Sequence, residues 1–155
     1  MQNPNTNGIS DSKLKHILGV ARECERLAAE KGLSKDEQTA CFVMGFLHDI
    51  GYERCNKSTT SDHPKHSYSM ICDFEKHKYD ILNAIKSHGN KYENMTVFDE
   101  ILNTADLTID YQGNPTTIEQ RLFDIKNIHG EDSLHYQHAC KQADAIIKKR
   151  KDKQL

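Results

Sequence analysis

His48 and Asp49 stand side by side at the end of an apolar run, Cys41 to Gly51. A carboxylate beside an imidazole at the edge of a buried segment is costly unless something compensates its charge. A divalent metal would do so. Histidine nitrogen and carboxylate oxygen together suit zinc, iron or manganese. Consecutive helical residues point about 100° apart. The neighbours can therefore converge on one ion only at a helix end, where the aspartate can swing round. On its own the pair is weak evidence, since most His-Asp dipeptides are caps or ion pairs. Four more residues occupy comparable settings on separate predicted helices. Asp106 is an acid inside the apolar stretch Ile101 to Leu107, and His16 lies on the apolar stripe of the first helix. His88 closes the helix Ile81 to His88, and His66 opens the segment His66 to Met70.

The elements that must position these residues are helices. Leu14, Ile17, Leu18, Ala21, Cys24, Leu27 and Ala28 repeat every three or four residues and predict a helix over Asp11 to Lys31, stopped by Gly32. Ser34 with Glu37 predicts a capping box for a second helix reaching His48, ended at Gly51. Glu53 to Pro64 reads as a long polar connection of the kind that forms lids or binding loops. Further helices are predicted over Lys65 to Glu75, Asp80 to His88 and Val97 to Asp110. After a turn over Tyr111 to Pro115, Thr116 with Glu119 predicts a second capping box and a helix to Asn127. The last helix covers Asp132 to Lys151, its cationic end suiting the helix dipole. No strand pattern, repeat or domain boundary is visible. The expectation is an all-α, single-domain bundle over residues 11–155, preceded by a flexible N-terminus of residues 1–10.

The chain has 155 residues, enough for one core. Its net charge of -2 argues against duplex nucleic acid as an obligate partner but leaves room for a small phosphorylated ligand. No run approaches the roughly 18 apolar residues of a membrane span, and no signal-peptide core opens the chain. Five cysteines without a Cys-x-x-Cys pair suit reduced thiols, so a cytoplasmic location is expected.

The order His16, His48-Asp49, His66, His88, Asp106 resembles the HD superfamily of metal-dependent phosphohydrolases. Lys15 to Ala21 is similar to that family's opening motif, and Phe46 to Gly51 to its signature. The resemblance spans about Leu14 to Asp110, and within the superfamily the spacing resembles the bacterial HD-type diadenosine tetraphosphate hydrolases. It implies an HD-type helical bundle and, as cofactor, a centre of two divalent ions (iron, manganese or zinc). His16, His48, Asp49 and Asp106 would hold one ion. His66 and His88 would hold the other, with Asp49 bridging and Asp49 and Asp106 catalytic. Two features depart from the pattern. Tyr52 stands where many relatives carry lysine, and no acidic-proline-arginine phrase follows Asp106.

The implied activity is hydrolysis of a nucleotide or other small phosphorylated metabolite by a metal-activated water. A di-iron oxygenase on the same scaffold, or a nucleotide-binding regulatory module without turnover, are the alternatives. Tyr52, Lys86, Lys91 and Arg121 are candidate substrate contacts, with Arg54 and Lys57 as further cations. His63, His77, His129, His135 and His138 stand outside the ligand pattern. His63 is close enough to His66 to support it or the substrate, or is simply a loop residue. His135 and His138 share a face of the last helix without an acidic partner. Oligomeric state is left open.

Overall fold

Ser10 accepts a hydrogen bond from the Lys13 amide and starts α1 (Asp11–Glu30). The computed structural model describes residues 9–56, 59–71 and 80–152. The buried residues of α1 include His16, Ile17, Val20, Ala21, Cys24 and Ala28, the stripe its periodicity predicts. Ser34 and Glu37 form the expected capping box, and α2 (Lys35–Leu47) follows. His48 is still helical at the C-cap of α2, but Asp49 has left the helix, with φ −103° and ψ 4°. A 3-10 turn, Ile50–Arg54, carries the chain away. The His48-Asp49 pair thus sits at the helix end where two neighbouring side chains can converge.

The predicted polar connection ends earlier than expected. A second 3-10 turn covers Thr60–Asp62, and α3 (His63–Ile71) begins at His63 rather than Lys65. Pro64 suits the first turn of a helix, where its missing N–H costs nothing. Gly51 seats α3 against the end of α2. A Cβ placed on it would overlap the His63 carbonyl oxygen and the Ser67 amide nitrogen. The Ser67 hydroxyl accepts from the Gly51 amide at 2.8 Å and donates to the His48 carbonyl at 2.6 Å. One serine therefore ties both His48 and the start of α3 to the same turn.

The expected end of this helix near Glu75, residues 1–8 of the expected flexible terminus, Lys57, Cys72 and His77 lie outside the described residues. α4 (Ile81–Ser87) and α5 (Val97–Thr108) come next. A capping box that the sequence reading missed opens α5: Asp99 accepts from the Thr96 amide at 2.7 Å, and Thr96 caps the Asp99 amide. α6 (Ile118–His129) starts one residue later than predicted, capped by Thr117. The reason is local. Ile109 and Pro115 form an antiparallel bridge, and the Thr116 amide is taken by the Thr108 carbonyl at 2.8 Å, which keeps Thr116 extended. α7 (Leu134–Asp152) closes the described chain.

The molecule is an all-α, single-domain bundle; among the described residues there are seven α-helices and no strand beyond that bridge. Its first apolar cluster joins α1, α2, α4 and α5 through residues such as Val20, Cys24, Met44, Ile85, Ile101 and Leu102. A second joins α5, α6 and α7 through Leu107, Ile118, Ile125, Ala143 and Ile146. Each large aliphatic side chain fully buried here stabilises the fold by roughly 1.5–3 kcal/mol. Cys24 and Cys41 are free thiols packed at 0% exposure in the first cluster. Among the described residues no helix is long and apolar enough to cross a membrane.

Candidate metal centre

Five elements deliver side chains to one point. His16 comes from the middle of α1, His48 and Asp49 from the end of α2, and His63 from the first residue of α3. His88 follows α4 directly, and Asp106 lies on the last turn of α5. His16, His48, Asp49, His63 and His88 are buried, and the Asp106 side chain is 20% exposed. Their ligand atoms form overlapping groups in which all atoms lie within 4.8 Å of one another: His16, His48 and Asp49; His48, His88 and Asp106; Asp49, His63 and His88.

The four imidazoles share one arrangement. Each Nδ1 faces a backbone carbonyl: His16 to Asp110 at 3.0 Å, and His48 to Gly45, His63 to Thr60 and His88 to Ile85 at 2.6 Å. A carbonyl can only accept, so each Nδ1 carries the proton and each Nε2 of a neutral ring presents a lone pair. This is the tautomer and the outer hydrogen bond of a metal-ligating histidine. The Nε2 atoms converge. His63 Nε2 and His88 Nε2 are 2.9 Å apart, two acceptors face to face. His48 Nε2 is buried with no partner. His16 Nε2 meets the Asp106 carboxylate at 3.0 Å, lone pair against anion. Arg121 Nη2, 3.4 Å from His16 Nε2 and 3.8 Å from Asp106, relieves the last contact in part; the other two are unfavourable unless a cation lies among them. The residues fit a divalent metal centre.

The electrostatics agree. Burial pushes His16 down, with Arg121 and Lys13 adding to it against the pull of Asp106. Burial also holds His63 at about 4 despite the Asp49 carboxylate beside it, so the ring is neutral at pH 7. At His48 desolvation is outweighed by Asp49 and Asp106, which raise its pKa. That negative field is answered equally by a proton or a metal ion on Nε2. Burial disfavours charge on Asp49, yet His48, Lys13 and His63 hold its carboxyl well below the usual range. Asp106 is held down likewise by His16 and His48. Asp49 faces two ways: Oδ1 lies 3.1 Å from His63 and 3.5 Å from His88, while Oδ2 lies 3.1 Å from Lys13 and 3.9 Å from His16.

The structure brings together His16, His48, Asp49, His88 and Asp106 of the sequence-predicted set. It puts His63, and not His66, against Asp49 and His88. His66 is half-buried on the next turn of α3 and is absent from every ligand group found among the described residues. The helix start is the cause, because His63 opens α3 and points into the bundle. Pro64 was the available signal for that start. His63→Ala should lose about half the bound divalent metal and bind the rest 10–100-fold more weakly, whereas His66→Ala should retain it all; elemental analysis of the purified variants distinguishes the two.

The centre opens into a cleft lined by, among others, Lys13, Tyr52, Tyr111, Arg121, His135 and Gln142. Of the predicted substrate contacts, Arg121 and Tyr52 line it. The Tyr52 ring stacks on His63 at 4.1 Å. Arg121 is 4% exposed, donates from Nε to the Asp106 carbonyl, lies over the Tyr111 ring at 4.2 Å, and has an Nη1 without a partner. Lys86 and Lys91 are elsewhere. Lys91 is tied to the α5 capping box through Asp99 at 2.6 Å, and Lys86 lies over Tyr68. The cation the sequence reading missed is Lys13, one turn before His16 on the same face of α1, ion-paired to Asp49 and 4.0 Å over the Tyr52 ring. His135, set aside in the sequence, lies parallel to His129 at 4.0 Å, and burial with the neighbouring His129 and His63 lowers it to about 3.

The chain matches the HD domain model over residues 14–146. It matches no curated protein and no solved structure. The fold and the donor groups support a metal-dependent hydrolase. On a match that covers most of its length, together with a His/Asp centre drawn from five elements, this chain belongs to the HD domain family.

Proposed function

We propose that the protein hydrolyses a phosphoester or phosphoanhydride bond of a nucleotide or other small phosphorylated metabolite at a two-ion centre. The observation that carries this reading is the convergence of the Nε2 lone pairs and two ionised carboxylates beside the buried guanidinium of Arg121, whose Nη1 has no hydrogen-bond partner among the described residues. His16, His48, Asp49 and Asp106 would hold one ion, and His63 and His88 with the other oxygen of Asp49 the second. Such ions, when bound, supply a water of lowered pKa and polarise a phosphoryl oxygen.

The chain's own groups do the rest. Arg121 presents Nη1 to the cleft and can take a phosphoryl oxygen and its developing charge, held by Tyr111 and the Asp106 carbonyl. Lys13 neutralises Asp49 in the absence of other cations. Once Asp49 is otherwise engaged, Lys13 is free to contact the substrate anion from beside Tyr52. Tyr52 keeps its phenol protonated, since burial and the nearby carboxylates Asp49 and Asp106 raise its pKa well above the usual value. It can therefore donate, but not supply the charge of the lysine many relatives carry there. The resemblance to diadenosine tetraphosphate hydrolases supports a nucleotide among the possible phosphorylated substrates.

The test is anaerobic phosphate release from nucleotides and generic phosphoesters by protein loaded with iron, manganese or zinc. Release that depends on added metal is expected. Oxygen consumption with ferrous iron and no phosphate release with any of these metals would overturn the proposal.

A further inference from the structure

Four buried side-chain nitrogens lack a hydrogen-bond partner among the described residues: His48 Nε2, Arg121 Nη1, His135 Nδ1 and Gln142 Nε2. The first belongs to the metal centre. The other three sit on the wall of the cleft that faces it, contributed by α6 and α7. Leaving a buried donor unpaired costs free energy, and folded proteins rarely do it without reason. Three on one wall of one cleft are a built feature.

The pattern on α7 is equally specific. His135, His138, Ala139 and Gln142 line the cleft at positions i, i+3, i+4 and i+7, one face of the helix. That face would carry apolar residues if it only packed. Ala139 also belongs to the second apolar cluster, with Ala143 and Ile146 beyond it. His138 is occupied, its Nδ1 paired with the Tyr92 hydroxyl. Gln142 is not. It is 2% exposed, and its amide nitrogen can only donate. The rest of the lining includes the rings of Tyr52, His63 and Tyr111 and the aliphatic side chains of Leu107 and Ile125.

We infer that this face of α7 is a substrate-reading wall, on which Gln142 and His135 hydrogen-bond an uncharged, planar group bearing carbonyl or ring-nitrogen acceptors. The substrate is then bipartite. Its anionic end lies at the metal centre and Arg121. Its organic end, of the chemistry a purine or pyrimidine ring presents, lies against α7. Gln142 is a specificity-determining residue that takes no part in bond cleavage. The anionic half of this inference rests on the proposed function; the α7 half does not.

The test is calorimetry on metal-loaded protein with inorganic phosphate, the common nucleosides, and their hydrolysis-resistant 5′-methylenephosphonates. Gln142→Leu and Gln142→Glu keep the size of the side chain and remove or reverse its donors. At least one nucleoside phosphonate is expected to bind about tenfold more tightly than phosphate, and each variant to lose about that factor while binding phosphate unchanged. Gln142→Leu should melt no lower than the parent, because the amide nitrogen it removes makes no internal hydrogen bond; a structural role would lower it. A tenfold gain that survives both substitutions overturns the inference. So does a panel in which no nucleoside compound binds better than phosphate. Nucleoside binding that depends on Gln142, in protein that binds no phosphate, would overturn the proposed function and leave the reading wall standing.

Discussion

Asp49→Ala is expected to strip the protein of most of its bound divalent metal and to take phosphate release down by about 10³-fold or more. The size follows from where its oxygens point. Oδ1 serves the His63 and His88 side and Oδ2 the His16 side, so one substitution takes a ligand from both halves of the centre. It also leaves the Lys13 ammonium, 16% exposed, without its carboxylate partner and pressed against the space meant for cations. Asp49→Asn keeps the shape and removes the charge. It should fail nearly as completely, because what the four lone pairs require is a negative ligand as well as a space. Metal content by elemental analysis and phosphate release from a nucleotide check both variants. Activity equal to the parent's in Asp49→Ala would end the phosphohydrolase reading.

The second large effect is structural in origin. Gly51→Ala places a methyl group inside contact distance of the His63 carbonyl, the Ser67 amide and the Ser67 hydroxyl. None of the backbone atoms can yield without moving α3, and moving α3 breaks the serine bridge between Gly51 and the His48 carbonyl. A loss of about 3 kcal/mol is expected, or roughly 6–12 °C in Tm for a chain of this size. His63 is the first residue of α3, so the same variant should lose the metal half-site formed with His88 even where it remains folded. Melting and metal content should fall together. A variant that melts lower yet holds full metal would show that α3 is not what sets His63.

Much of this was legible in the chain. Apolar residues every three or four positions marked the helices. Ser34 with Glu37 formed the capping box they suggest, and His16, His48, Asp49, His88 and Asp106 meet as their shared setting, polar groups on apolar helices, implied. What was hidden depended on contacts between distant segments. His63 and His66 are equivalent in composition. The start of α3 at His63, marked by Pro64 and held by the docking of Gly51, decides which of them faces inward. Lys91 looked like a free cation until the Thr96 and Asp99 cap claimed it. Thr116 looked like a cap until the bridge at Ile109 held it extended. Gln142 carries no motif at all; its meaning comes from a cleft whose other wall lies some ninety residues earlier in the sequence.

The division of the interior into two apolar clusters, joined through α5, has a consequence for how such a protein changes over generations. The imidazoles are anchored in the first cluster and the α7 face stands on the second, with Asp106 on the helix between them. Substitutions at 135, 138 or 142 leave the packing of α1, α2 and α4 untouched. Descendants of one ancestral chain can therefore diverge in what they accept by altering positions 138 and 142 while inheriting the reactive centre intact, whereas a change at 135 also meets the His63 ring, 5.8 Å away.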